Sequence, residues 1–245
     1  MSLLTNLVAY WKFDENSGTI ANDSSGTNNG TLSGSTGVPS WVSGKINSGL
    51  SFNNTNKQYV SIPNSSPLNP TNGISVQAWI NSTSYPGNDR ILQKGNSDNQ
   101  YRLLNEGGLK WEVIVGGVAQ TLLGTIPTNG VFHYVLGTYD GSSGAMVLYV
   151  DGAVLVSGTK TAGTLSTTTD PLTIGTKNNS GATGDYFSGI IDEPAIWSRT
   201  LTSSENTQLY NSGLGLQYPF NSLISPIQQT TSGIYVVQNP MVLGY

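Results

Sequence analysis

The chain contains no cysteine and one histidine, and only 10% of its 245 residues are charged, against about a quarter in an average soluble domain. Without cysteine there is no disulfide, no thiolate nucleophile and no cysteine-based metal cluster, so the redox compartment cannot be read from bridges. The 10 Lys and Arg are scattered, and with 14 Asp and Glu they give a net charge of −4. Nucleic acid is therefore excluded as a partner, because phosphate neutralisation needs clustered cations. The same scarcity removes an electrostatic route to anionic membranes. No apolar run reaches the roughly 20 residues that a spanning helix needs, so membrane insertion is not expected.

The N-terminus, MSLLTNLVAYWKFDENSG, lacks a basic n-region, a long apolar stretch and a small-residue cleavage motif. Two readings stand side by side. Either an export signal preceded this sequence, or the chain is a virion protein released by lysis. Both place it outside the cell or on a virion surface. Also absent are a Gly-x-Ser-x-Gly elbow, a His-Glu-x-x-His metal site and a phosphate loop ending in Gly-Lys-Ser/Thr. His133 lies in an alternating segment with no cysteine or evident serine–carboxylate partner, and reads as an ordinary strand histidine.

What the sequence does have is short apolar or β-branched segments between turn signals. They include LVAYWKF at 7–13, ISVQAWI at 74–80, KWEVIV at 110–115, AMVLYVDG at 145–152 and SGIIDEPAIW at 188–197. Period two dominates. Asn29-Gly30, Asp140-Gly141 and Asp151-Gly152 supply turn pairs that tolerate positive φ. One short helix is expected from Thr202 to Tyr210, capped by Thr202 or Ser203, with Glu205 in its first turn and Leu209 facing inward. So many strands with almost no helix predict an all-β, two-sheet antiparallel jelly-roll sandwich. In AYWKFDE, alternation sends Trp11 and Phe13 into the core and Tyr10, Lys12 and Asp14 toward water. Residues 1–216 share one texture. The segment 217–245 is nearly charge-free and punctuated by proline, and reads as an apolar tail that packs on the domain or docks on another subunit.

Five stretches occur in order: AYWKFDENSGTIANDSSGTNNGTL, GLSFNNTNKQYVSIP, ISVQAWI, FHYVLGTYDGSSGAMVLYVDGAVL and FSGIIDEPAIWSRTLTSSE. Together they resemble the laminin-G-like/pentraxin group of concanavalin A-like domains found in bacterial, archaeal and phage surface proteins, over roughly 7–212. The resemblance implies a structural calcium where the loop after the first strand meets the last strand. Asp23 and Asp192 would supply carboxylates, with oxygens around Ser25, Asn28 and Asn29 completing the shell of a hard, oxygen-seeking cation. The alternative is that Asp23 makes an Asx turn and Asp192 is a solvated charge.

Glycoside hydrolases of the same superfamily place paired carboxylates on one strand face as Glu-x-Asp-x-x-Glu, and no such motif occurs here. Asp14-Glu15 and Asp192-Glu193 are adjacent pairs whose side chains a regular strand would send to opposite faces. The expectation is a non-catalytic module that binds a carbohydrate or a cell-surface receptor through loops held by rigid strands. Tyr85, Asn88, Asp89 and Arg90 in SYPGNDR, and Asn178, Asn179, Asp185 and Tyr186 in KNNSGATGDY, are the candidate ligand residues. They combine aromatic faces with amide and carboxylate groups. The competing expectation is an architectural decoration, fibre or surface-layer subunit, a homo-oligomer or larger assembly joined through the tail.

Overall fold

The computed structural model describes residues 2–84, 87–96, 100–179 and 182–221. Two antiparallel eight-stranded sheets enclose the core, as the strand pattern predicts. The first runs β14 (Ala153–Thr159), β13 (Ala145–Val150), β12 (His133–Asp140), β7 (Gly73–Ser82), β18 (Gly189–Trp197), β5 (Ser48–Phe52) and β4 (Ser40–Ser43). Strand β1 (Leu7–Tyr10) pairs with β18 beyond the stretch that β5 occupies. The second sheet runs β11 (Val118–Gly124), β10 (Leu109–Val115), β9 (Tyr101–Asn105), β8 (Arg90–Lys94), β15 (Leu172–Ile174), β6 (Tyr59–Ile62), β3 (Gly30–Ser33) and β2 (Ile20–Ala21). A separate hairpin joins β16 (Lys177–Asn179) to β17 (Ala182–Gly184).

Alternation explains the core. Along β7, Ile74, Val76, Ala78 and Ile80 enter the space between the sheets, while Ser75, Gln77 and Trp79 point to the other face. Gly137 of β12 leaves room for the Trp111 ring, which a Cβ there would strike, and Trp111 Nε1 donates to Thr138 O at 3.0 Å. The outer face of the first sheet is not left to water. Tyr10, Trp79, Tyr134, Trp197 and Leu209 form a second apolar cluster, with Tyr210, Tyr218 and Phe220 packed against it. This corrects the expectation for Tyr10. It does point away from Trp11, but it is fully buried, because the helix and the segment after it cover that face.

The helix α1 (Ser203–Tyr210) forms as expected. Glu205 N donates to Thr202 Oγ1, Thr202 N donates back to Glu205 Oε2, and both ends of a capping box are met. Of the predicted tail, Tyr218 and Phe220 lie 5.8 and 5.4 Å from the Tyr10 ring, centroid to centroid. Gln217 Nε2 donates to Asp14 Oδ2 and Glu193 Oε1. The expectation for 222–245 lies outside the described residues. Among the described residues, no helix is long and apolar enough to cross a membrane.

Three chain crossings between the sheets share one end of the sandwich. They are 53–58 after β5, the described residues 83–84 and 87–89 after β7, and 185–188 before β18. Gly189 pairs with both Phe52 and Ser82, which fixes those strand ends side by side.

Candidate functional site

These crossings form the walls of an open cleft of about 390 Å³ lined by Asn54, Thr55, Asn88, Asp89, Asp185 and Tyr186. Side-chain amides hold the first wall rigid. Asn56 N donates to Asn53 Oδ1 at 3.1 Å, Asn53 N donates to Gln58 Oε1 at 2.9 Å, and Gln58 Nε2 ties the loop to Val38 O at 2.8 Å. The other two walls are locked together by Arg90. Its backbone N donates to Asp185 O at 3.2 Å, Nη1 donates to Asn88 O at 2.8 Å, Nε to Gln93 Oε1 at 3.0 Å, and Nη2 lies 3.4 Å from Asp185 Oδ2. Asp89 lies on the floor at 1% exposure. Its Oδ1 accepts from Asn105 Nδ2 at 3.5 Å, and its Oδ2, sealed from solvent, has no hydrogen-bond partner among the described residues. Burial pushes this carboxyl up to about 6, against the pull of nearby backbone N–H groups, Asn105 and Arg90.

The two predicted segments are thus brought to one place, though not every candidate faces it. Asn88, Asp89, Asp185 and Tyr186 line the cleft. Arg90 does not, because it stands behind the wall with its guanidinium committed to the loops. Asn178 also lies behind, 3% exposed, with its carbonyl accepting from Gln93 Nε2. Asn179 pairs through its backbone with Ala182 in the hairpin. Tyr85 lies outside the described residues. Asn54 and Thr55 were not among the candidates, although the run Asn53-Asn54-Thr55-Asn56 carries the same amide-rich composition as the loops that were.

The model of the concanavalin A-like lectin/glucanases superfamily, in its laminin-G-like form, matches residues 54–205. The chain belongs to this superfamily. The matched span contains all six cleft residues. No curated protein matches. Among solved structures, the binding domain of Paraclostridial Mosquitocidal Protein 1 is 16% identical, with a TM-score of 0.69 over 86% of this chain and 53% of that one. Domain 4 of AbnA, an extracellular arabinanase from Geobacillus stearothermophilus solved with arabinotriose, is 20% identical, with a TM-score of 0.65 over 86% of this chain and 98% of that one. The binding domain of Botulinum neurotoxin DC in complex with SialylT is 14% identical, with a TM-score of 0.65 over 89% of this chain and 53% of that one. The chain thus spans about half the length of the toxin binding domains it matches.

For this concanavalin A-like chain, the residues expected to hold calcium do not fit the ion as they are arranged. Asp23 already accepts five hydrogen bonds. Oδ1 takes Tyr10 N, Ser25 N and Ser25 Oγ, and Oδ2 takes Asn28 N and Asn28 Nδ2, all at 2.9–3.0 Å. A carboxylate offers about four lone-pair positions, so none remains for a cation. Asn29 Oδ1 accepts Asp23 N at 2.8 Å, and Asn28 Oδ1 accepts Ser65 Oγ at 2.5 Å. Asp192, in β18, serves a different loop, since its Oδ2 accepts Lys45 N and Ile46 N and its Oδ1 accepts Glu193 N. Among the described residues no three His, Cys, Asp or Glu side chains gather to hold a metal.

Two expectations are corrected. The register of β18 shifts between Asp192 and Ala195, with Glu193 at a left-handed φ of 51°. This bulge undoes the opposite-face argument. Asp192 and Glu193 are both buried, at 0% and 1% exposure, and close enough to repel. Burial raises Asp192 to about 7, and burial with the Asp192 charge raises Glu193 to about 9. His133 does have partners. Its Nδ1 lies 2.7 Å from Asp151 Oδ2 and its Nε2 2.9 Å from Thr128 Oγ1. Asp151 Oδ1 also accepts Tyr134 N at 3.0 Å, so the chain of contacts pins the β13–β14 turn and the 125–132 connection to β12.

Proposed function

We propose that this chain is a non-catalytic binding module of a surface or secreted protein, and that it takes a carbohydrate, or the glycan of a cell-surface receptor, in the cleft bounded by 53–58, 83–89 and 185–188. The observation that carries this reading is the convergence of the crossings on an open cleft lined by the amides of Asn54 and Asn88, the Thr55 hydroxyl, the Asp185 carboxylate and the Tyr186 phenol. The Tyr186 ring supplies an apolar face, and the amides of Asn54 and Asn88 can both donate and accept. Two of the structural relatives are described as binding domains, and the arabinanase domain is solved with arabinotriose, which supports the same use of this scaffold. A hydrolase is disfavoured because glycosidic cleavage needs two carboxyl groups flanking the bond. Asp185 is ion-paired with Arg90 and Lys177, and the Asp192–Glu193 pair is sealed from solvent.

The test is a glycan array probed with the purified chain in calcium and again in EDTA, followed by titration of Asn54→Ala and Tyr186→Ala variants. The expected outcome is binding to a coherent sugar set that survives EDTA and weakens at least ten-fold in both variants. Binding unaffected by both substitutions would place the ligand elsewhere on the sandwich.

A further inference from the structure

We infer that two copies of this chain pair edge to edge through β11, antiparallel about a two-fold axis at Thr121, so that their second sheets run on as one. None of the six cleft residues belongs to β10 or β11, so this pairing stands or falls apart from the glycan reading.

A sheet edge presents backbone N–H and C=O groups that invite another strand, and monomers blunt such edges with short strands, bulges, proline or charge. Of the four strands that end the two sheets, three are blunted. β2 has two residues and β4 has four. β14 carries a register shift against β13, opposite Leu148 and Tyr149, and runs into Lys160. β11 has none of these devices. Its seven residues, VAQTLLG, hold no charge and no proline, and they pair with β10 in unbroken register from Leu109–Gly124 to Val115–Val118. Gly116 and Gly117, at φ of 56° and 81°, close a two-residue turn, which makes Val115–Val118 a hydrogen-bonded pair and Ile114–Ala119 a non-bonded one. Ile114 agrees with this, since its N donates to Gln100 O at 2.7 Å and its O accepts Ser166 N at 2.8 Å, both away from β11. Ala119, Thr121 and Leu123 therefore aim their backbone groups away from β10, and among the described residues those groups have no partner. This spacing fits a second copy of the same strand. About Thr121, Thr121 faces itself and Ala119 faces Leu123 of the other copy, so each outward N–H meets an outward C=O. The side chains match too. Leu123, 54% exposed, covers Ala119 across the pair, and Val118, 62% exposed, lies beside Gly124. Each copy has one β11, so pairing about a two-fold axis closes the assembly and covers that edge in both.

The experiment measures the mass of the full chain by sedimentation equilibrium from micromolar to near-millimolar concentration, beside Ala119→Pro and Leu123→Lys. The expected result is the mass of two chains, with association weakened at least ten-fold in both variants while circular dichroism stays that of the parent. Thr121→Cys reports position. The chain has no cysteine of its own, and hydrogen-bonded partners on antiparallel strands stand about 5.5 Å apart at Cα, within disulfide reach. Mild oxidation is expected to link Thr121→Cys into a covalent dimer and to leave Ala119→Cys unlinked, because the two Ala119 positions lie more than about 13 Å apart along the pair. Sedimentation as a single chain at the highest concentration would overturn the inference and leave this edge to a different polypeptide. A dimer that both edge substitutions leave intact, or that Thr121→Cys fails to link, would overturn it by placing the contact elsewhere, the 217–245 tail included. The mass of the unaltered chain and the Thr121→Cys link decide the matter even if the proline or lysine variant does not fold.

Discussion

Asp89 shows how burying a single carboxyl beneath a cleft lowers fold stability. An unfolded aspartate ionises near pH 3.9, whereas burial holds Asp89 up to about 6. Between those values the folded chain keeps a proton that the unfolded chain has lost, so stability falls as pH rises through the window and stays reduced above it. Asparagine has nearly the same shape, carries no charge, and retains an oxygen for Asn105. Asp89→Asn is therefore expected to raise the melting temperature at pH 7.5 by a few degrees, reflecting a gain on the order of 1–3 kcal/mol, and to leave it unchanged near pH 4. A fall at pH 7.5 in differential scanning calorimetry would show instead that Asp89 is a structural anchor. The residue was visible in the sequence as an acid in a turn-rich loop, but its burial was not. Loop composition reports polarity, and only the closure of three crossings around one point makes a floor. Arg90 illustrates the converse, since its type suggested ligand contact and its geometry spends it on the scaffold.

At the level of elements, the strands were legible because one face of most of them is apolar with period two, and the helix was legible from its cap. Less legible were the elements buried on both faces. The register Thr173–Gln93–Arg102–Glu112–Thr121 crosses five strands of the second sheet as a polar row. Sequence pattern assigns such residues to water, yet Gln93 and Glu112 are buried and Arg102 is ion-paired with Glu112. The bulge in β18 was invisible for a related reason, since alternation assumes a regular strand. The helix start offers a measurable case. Glu205 Oε2 closes the capping box, and the carboxylate also takes Arg199 Nη2 at 2.6 Å and Nη1 at 2.8 Å. Burial opposes its ionisation, but the bonds from Arg199 and Thr202 prevail and hold it down at about 2. Arg199 in turn donates to Thr5 O and Ser2 O, fastening the N-terminal segment. Thr202→Ala should cost about 1 kcal/mol in urea unfolding. Glu205→Ala should cost about 2–4 kcal/mol, because it also leaves a largely buried guanidinium unpaired. Equal losses for the two would mean that the Arg199 pair adds nothing to stability.

Across the whole molecule, the perturbed carboxyl groups act in one direction over most of the pH range. Asp89, Asp192 and Glu193 are raised to about 6, 7 and 9, so each makes the folded state bind more protons than the unfolded one from about pH 4 up to its own value. Glu205 acts oppositely, since its depressed value adds stability above about pH 4 that is lost as pH falls toward 2, and Glu106 and Asp140, held down by hydrogen bonds from Lys110 and Ser142, act on the same side. The sum places maximal stability in mild acid, near pH 4–5, with a decline toward alkaline pH. That decline can be divided among the groups because their windows end at different points. Asp89 stops contributing slope above about 6 and Asp192 above about 7, which leaves Glu193 as the source of decline between 7 and 9, opposed above about 8 by Lys94, which burial lowers to about that value so that the unfolded chain binds the extra proton. Glu193→Gln keeps an oxygen for Gln217 and removes the charge that ionisation would set beside Asp192. The melting temperature of the unaltered chain should therefore fall from pH 5 to about pH 8, and that of Glu193→Gln should stop falling at 7 and turn upward above about 8 as Lys94 contributes. Asp89→Asn should instead shift the curve upward above pH 6 with its slope between 7 and 9 unchanged. A Glu193→Gln curve as steep as the parent's over that interval would assign the alkaline loss to another group and free the Asp192–Glu193 bulge of any role in it.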